Sequence, residues 1–580
     1  MHFNFGQADL PAITRICQLV DGLPLGLELA ATWVRLMSLN EIVVEIERSM
    51  DFLMTTARDV PQRHRSFRAV FEHSWNLLSD DERRMLQHLS VFRGGFTREA
   101  AEQVAGATPS LLLALRDKSL VRISPSWRYD LHELIRQYAS AHLEADAQEA
   151  KAAHALHAQY YLTLLSMNEY SLRSECQKVT FDGLKPEIDN IRLAWDFAVA
   201  GEDLDSLCAA AGALYYFYEL QQFFHEAKDL FHRAAKMIQG RLDAADGDIS
   251  NLDQARLQGV LAAMQTRQAF FHQRLGQNSE AIELYQTNLI RLAGLDEPFT
   301  TAYTYTFLGI VSQAVGEIKT AKDNLIKGLC LARPLEHPWL AEIALCFLGA
   351  AEHADDCYED AYGHFTEAQT ICEVMKDPYI TLLTGTLFSR TAQKLRRLTK
   401  SQELLQDSLR IAKDSDNLWA IGLGLEQMAV AAQSTGRKTE AQRLLEESAS
   451  LHREVGDLWS LARALDSLSQ LEFSMHDLVH AEKDAKEAIQ AAVEGQFYAN
   501  GLEALATLAS VRAQQGQDLA ALEYALFVLS HTASTWDARD RAGKVRVEME
   551  KNLTSGEIAA VQSRVHSRCL ESISQELAGE

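Results

Sequence analysis

Few residues in this 580-residue chain have the types and spacing that chemistry requires. A zinc hydrolase would place two histidines one helical turn apart around a glutamate, as His-Glu-x-x-His. His132-Glu133 and His225-Glu226 both lack the second histidine. No Gly-x-Ser-x-Gly turn is present to present a nucleophilic serine. No Gly-x4-Gly-Lys-Ser/Thr loop is present to wrap phosphates in backbone amides; the one Gly-Lys pair, Gly543-Lys544, is followed by Val545. Asp243, Asp246 and Asp248 lack the spacing of a calcium loop, so a solvated loop is expected there. His154 and His157 stand three apart on a helix, where a shared metal competes with a solvated helix face; the solvated face is the expectation. Cys17, Cys176, Cys208, Cys330, Cys346, Cys357, Cys372 and Cys569 form no CxxC pair and read as reduced thiols. No catalytic residue and no metal ligand is assigned, and the chain is expected not to be an enzyme.

Lys and Arg total 56 against 80 Asp and Glu, for a formal net charge of -24. Nonspecific nucleic-acid binding needs a basic face, so direct nucleic-acid contact is not expected, despite a short basic run at Arg63, His64, Arg65 and Arg68. The first residues carry no basic segment leading into an apolar run, and no stretch is long and apolar enough for a membrane helix. The expected location is the cytoplasm. Only 10 prolines occur, none after Pro378, which favours uninterrupted helices.

The elements that would position any site come from a repeat of period 40. Ala281, Ala321, Ala361, Ser401, Ala441, Ala481 and Ala521 are expected to open helices. Five residues before each stands a turn position: Gly276, Gly316, Asp356, Arg396, Gly436, His476 and Gly516. Leu308-Gly309, Leu348-Gly349, Phe388-Ser389, Met428-Ala429, Leu468-Ser469 and Leu508-Ala509 repeat a large-small pair upstream. Small residues let two antiparallel helices approach, and large ones fill the groove between them. A lone pair cannot bury its apolar face, so pairs must stack into a solenoid. Gly-x4-Ala with the large-small pair resembles the tetratricopeptide repeat, here about six residues longer than the usual 34. The surplus is placed before the first helix, where Phe299, Trp339, Tyr379, Trp419 and Trp459 recur and are expected to cover the seams between repeats. The segment 223–238 reads as an earlier second helix with Ala227 in the small slot, followed by a polar insertion at 240–253.

Residues 1–147 show no such period. Ser79 to Glu82 forms a capping box, Thr97 opens another helix, and Pro24 starts a third after Asp21-Gly22. A helix in LLLALRDKSLVRIS runs into a strand whose partner is RYDLHEL, the pattern of a winged helix. GLPLGLELAA (22–31), RHRSFRAVFEHSWNLLS (63–79), ERRMLQHLSVFRGGFTREAA (82–101), LRDKSLVRIS (115–124), RYDLHELIRQYA (128–139) and EIDNIRLAWDFAVAGED (187–203) follow in order. This ordered set resembles the distal part of a bacterial STAND-class regulatory ATPase of the NB-ARC type with a tetratricopeptide sensor.

The resemblance implies an all-α chain: a right-handed α-solenoid of tetratricopeptide-like pairs preceded by a helical lid and a winged helix with a short β-wing. It divides the chain into a lid (1–59), a winged helix (60–147), a helical linker with the first solenoid helices (148–255), the repeat array (256–553) and a helical tail (554–580). It implies that Gly22, Leu23 and Pro24 lie against the adenine of a bound nucleotide, and that His132 faces its phosphates in the ADP-bound state. The family's ATPase core would lie before residue 10. Its absence here leaves three expectations open: a truncated or split gene product, a sensor half working with a separate ATPase, or a scaffold without ATPase. ADP or ATP is thus expected only in an intact assembly. The function expected is that of a sensor module in a signalling or transcriptional regulator, holding a protein, peptide or small ligand on the concave face of the repeats. The alternatives are a nucleotide switch completed in trans and a plain scaffold. Regular register places His353, Arg390, Gln393, Lys394, Glu426, Gln433, Arg463, Asp466 and Gln470 on that face.

Overall fold

The computed structural model describes residues 9–20, 24–34, 36–48, 52, 67–244, 250–414, 418–495, 497–565 and 568–579. They divide into two compact units. One comprises residues up to 167 together with 182–210, the other residues 168–181 and everything from 211 onward. The architecture is an α-solenoid with almost no strand.

In the second unit the repeat is regular to the residue. First helices begin at Pro298, Pro338, Pro378, Leu418, Leu458 and Tyr498; second helices begin at Asn278, Ile318, Tyr358, Leu398, Lys438, Leu478 and Asp518. Each small residue of the period therefore stands fourth in its helix rather than opening it. Ala281, Ala321, Ala361, Ala441, Ala481 and Ala521 are wholly buried, and Ser401 is nearly so. The β-carbon-free surface of Gly309 meets Leu325 of the paired helix: a β-carbon there would lie 2.6 Å from Leu325 Cγ. The extra residues per repeat do not form a loop. They lengthen the helices, so that Pro298–Ala314, Pro338–Ala354 and Pro378–Lys394 each have 17 residues. Phe299, Trp339, Tyr379 and Trp459 accordingly sit in the first turn of their helices; the Trp419 side chain lies outside the described residues. The insertion expected at 240–253 is also largely helical. Phe224–Ala244 runs through its start, and Ser250 caps Asn251–Arg274 at its end. Asp246 and Asp248 lie outside the described residues. Asp243 accepts a hydrogen bond from Gln239 at 2.7 Å.

All seven turn positions have positive φ, from 58° at Arg396 to 86° at Gly316. A side chain strains this left-handed conformation and glycine does not. Arg396→Gly is therefore expected to raise the stability of the array by up to about 1 kcal/mol, read as a higher urea midpoint. An unchanged or lower midpoint would mean that the turn imposes no strain. After the last repeat, Ser555–Val565 and Leu570–Gly579 cap the stack. Leu570 packs on Gly501, and Tyr498 donates to Glu571 at 2.7 Å.

The first unit carries the expected local signals. Ser79 and Glu82 form a reciprocal capping box, and the Thr97 side chain accepts from the Ala100 amide. Pro24 begins the helix Pro24–Trp33. Strands Arg122–Ile123 and Tyr129–Asp130 pair antiparallel, and Phe96 bridges to Tyr129.

Candidate ligand site inside the repeat array

The first helices carry an apolar stripe at intervals of three and four, the spacing that keeps side chains on one helix face. Phe307, Ile310 and Ala314 form it on one helix, Ile343, Phe347, Ala350 and Ala354 on the next, and Leu383 and Leu387 on the third, where Arg390 follows at the same spacing. These stripes face a cavity of about 670 Å³ within the second unit. Tyr215, Tyr216 and Glu219 close it on the N-terminal side of the array; Glu503, Thr535, Trp536 and Asp537 close it from the C-terminal side. The array can enclose a cavity because it turns back on itself. A β-carbon at Gly276 would lie 3.0 Å from the Ala499 amide nitrogen, and one at Gly316 would lie 2.6 Å from Trp536 Cδ1. At these two turns glycine serves the close approach as well as the positive φ.

Beside the cavity, charge is held by aromatic faces. The Arg173 guanidinium lies 4.4 Å from the Trp339 ring centroid and 5.1 Å from that of Tyr216. Arg274 lies 4.2 Å from Trp459 and 4.9 Å from Phe224, and reaches Glu219 at 3.3 Å. Glu219 accepts a hydrogen bond from the Tyr379 hydroxyl at 3.2 Å; burial raises its pKa, and Arg274 opposes that. Asp377 caps Pro378–Lys394 and accepts from the Tyr216 hydroxyl at 2.7 Å and from Gln177 at 3.2 Å. Trp339 and Trp459 thus seat cations from segments distant in sequence, and Tyr379 donates to a distant carboxylate.

Among the described residues several buried polar atoms at this cavity have no hydrogen-bond partner: Trp339 Nε1, Gln273 Oε1, Gln313 Oε1 and Glu219 Oε2. Trp339 is 2% exposed and Glu219 5%. Folded proteins pair nearly all such atoms, and exceptions mark sites for water or ligand.

Of the residues assigned to the concave face, His353 and Arg390 line the cavity. His353 Nδ1 is 2.8 Å from Thr391 Oγ1, and burial followed by Arg390 and Lys394 lowers its pKa, which keeps the ring neutral. Lys394 lies 5.9 Å from the Tyr358 ring, and Gln433 is exposed. Gln393 turns to its paired helix and donates to Ser401 at 3.1 Å. Arg463 pairs with Glu426 at 2.9 Å. Asp466 accepts from Thr507 at 2.6 Å and from Gln470 at 2.8 Å. Arg463, Glu426 and Asp466 thus tie neighbouring helices together, while Gln470 bonds within its own helix. Gln273 and Gln313 were legible: they share the 40-residue register of His353, Gln393 and Gln433. Glu219, Thr535, Trp536 and Asp537 were not, because they precede or follow the regular period.

In the first unit, His132 is 6% exposed and caps Glu133–Leu143, its Nδ1 accepting from the Leu134 amide at 3.0 Å. Gly22, Leu23, Arg63, His64 and Arg65 lie outside the described residues, as do the side chains of Pro24 and Arg68. His154 pairs with Glu144 at 3.2 Å, while His157 is buried rather than solvated and lies 3.2 Å from Asn190 Oδ1. Burial lowers the His157 pKa to about 4. No cluster with metal-binding geometry occurs among the described residues. Asn190, fully buried, also accepts from the Arg93 amide at 2.8 Å and donates to the Gly95 carbonyl at 2.9 Å and to Glu187 at 3.1 Å. Asn190→Ala leaves these groups unpaired, so a loss of about 2–3 kcal/mol in the first unit is expected. Hydrogen exchange at the Arg93 and Phe96 amides would show it, and wild-type protection in the variant would contradict it.

No protein-family model matches this chain. A Mycobacterium tuberculosis (strain H37Rv) protein provisionally named an HTH-type transcriptional regulator is 32% identical over 203 residues, covering 33% of this chain. The chain spans 23% of that relative's length. Among solved structures, a Signal Transduction ATPase with Numerous Domains protein with a tetratricopeptide repeat sensor, from Pyrococcus horikoshii, is similar over 93% of this chain and 74% of its own, with TM-score 0.47 and 16% identity. The Rap conjugation gene regulator of plasmid pLS20, in complex with the Phr* peptide, is similar over 59% of this chain and 98% of its own, with TM-score 0.41 and 12% identity. Among the described residues no helix is long and apolar enough to cross a membrane.

Proposed function

We propose that this chain is the sensing part of a STAND-type regulator and that its ligand binds inside the repeat array. The observation that carries this reading is the cavity of about 670 Å³ with unpartnered buried polar atoms on apolar walls. A mostly apolar chamber with a few convergent polar groups is the usual form of a small-ligand site, and this volume suits a drug-sized molecule rather than a folded domain. The ordered motifs of residues 22–203 support the STAND assignment, and the provisional name of the mycobacterial relative supports control of transcription as the output. Gly22, Leu23, Pro24 and His132 would meet a nucleotide only where an ATP-binding core is joined to them. No ATP hydrolysis by this chain is expected.

Native mass spectrometry of the full chain, incubated with a bacterial extract cleared of macromolecules, tests the reading. One small molecule retained per chain, and lost in Ala354→Trp, supports it. Ala354 is an exposed cavity residue, so the bulky side chain fills the chamber without disturbing the core. Equal retention by the wild type and the plugged variant would place binding elsewhere.

A further inference from the structure

The cavity is charged unequally at two places. Arg390 lines it and makes no ion pair among the described residues. The charges that act on neighbouring His353 are Arg390, Lys394 and Asp356. Those that act on Glu503 are Asp466, Arg541 and Asp537, a different set. Glu503 accepts from the Thr535 hydroxyl at 2.7 Å, and Asp537 lines the same chamber. Beside the internally paired Arg274 and Glu219, an unpaired basic residue and an acidic pair therefore share the lining of one largely apolar cavity. The same lining holds side-chain amides and an indole with atoms that lack partners among the described residues: Gln273 and Gln313 offer acceptors, and Trp339, 2% exposed, offers an N–H donor.

We propose that the ligand is a short apolar peptide with both termini free, its carboxylate at Arg390 and its ammonium at Glu503 and Asp537. The peptide groups supply the N–H donors that Gln273 and Gln313 lack and the carbonyl that Trp339 lacks, while Ile310, Ile343 and Leu383 take the side chains. A carboxylate answers a guanidinium with charge-assisted hydrogen bonds. A fatty acid would satisfy Arg390 and leave the acidic residues and the amides unpaired. A sugar would leave Arg390 unmatched and set hydroxyls against aliphatic walls.

This inference rests on reading the cavity as the ligand site, and the test separates the two. The full chain is mixed with tetrapeptide libraries drawn from leucine, isoleucine, valine and phenylalanine, with free termini, with the carboxylate amidated, or with the amine acetylated. Octanoate serves as a carboxylate without an amine. Retention is read by native mass spectrometry. The free-termini library is expected to be retained one per chain, and blocking either terminus to weaken retention roughly tenfold or more. Arg390→Glu, an exposed position that leaves the fold intact by circular dichroism, should abolish the preference for a free carboxylate. Equal retention of free and blocked libraries would overturn the proposal. Octanoate retained in place of peptide, and displaced by Ala354→Trp, would overturn the peptide while keeping the cavity as the site. No retention of any probe would overturn the peptide, and the extract experiment with Ala354→Trp then decides the cavity.

Discussion

Arg274→Ala is expected to destabilise the repeat array by roughly 3–5 kcal/mol, the cost of removing one partner from a buried pair. The Arg274 side chain is 19% exposed and its partner Glu219 is 4% exposed. The substitution strips Trp459 and Phe224 of their cation and leaves Glu219 with the Tyr379 hydroxyl as its remaining hydrogen-bond donor. Arg274→Lys should recover little, because an ammonium neither stacks on two rings nor presents a planar fork. Arg274→Ala with Glu219→Gln should regain part of the loss, since the stranded charge is gone. Urea unfolding of the four proteins, followed by far-ultraviolet circular dichroism, checks this. A single alanine variant as stable as the wild type would mean that the interior cations do not hold the turns of the array together.

The second large effect is a dependence on pH. Glu342 is wholly buried; it accepts from the Thr384 hydroxyl and from the Cys372 thiol at 3.7 Å. Burial, reinforced by the charge of Asp377, pushes its carboxyl up to about 8. In the unfolded chain the same group titrates near 4.5. Between those values the native state keeps a proton that the unfolded state has lost, so stability falls as pH rises across that window. The loss from this residue is on the order of a few kcal/mol between pH 5 and 8. Asp377, raised to about 6, and Glu503, raised to about 7, add in the same direction. His157 and His452, both lowered to about 4 by burial, act oppositely and remove stability as pH falls below about 6.5. Glu342→Gln keeps the shape and cannot ionise. Its unfolding free energy should match the wild type near pH 5 and exceed it near pH 8. Parallel curves would show that Glu342 is ionised in the native fold.

What could be read in advance follows from how locally each feature is encoded. Helix pairing is set by residues one turn apart, so Ala281, Gly309 and the turn at Gly316 announced the array and its period. The capping box at Ser79 and the strand at Tyr129 are equally local. Whether an aromatic covers a seam or meets a charged group is not local. Tyr379 meets Glu219, and Trp459 meets Arg274, because the stack coils back on itself. No periodicity along one helix contains that closure. The same reason explains why Glu426, Arg463 and Asp466 join helices while Gln273 and Gln313 line the chamber. Surplus residues in each repeat read as a connector because usual repeats are shorter; here they were spent on longer helices.

We propose that the interior of the array is the surface that meets the ligand. Hydrogen exchange of the full chain, with and without the retained peptide, reads this surface residue by residue. Protection is expected to rise together in Asn251–Arg274, Pro298–Ala314, Pro338–Ala354 and Pro378–Lys394, and at the start of Trp536–Asn552, with the outer second helices unchanged. Protection confined to the second helices, or to residues 9–167, would place the ligand outside the chamber.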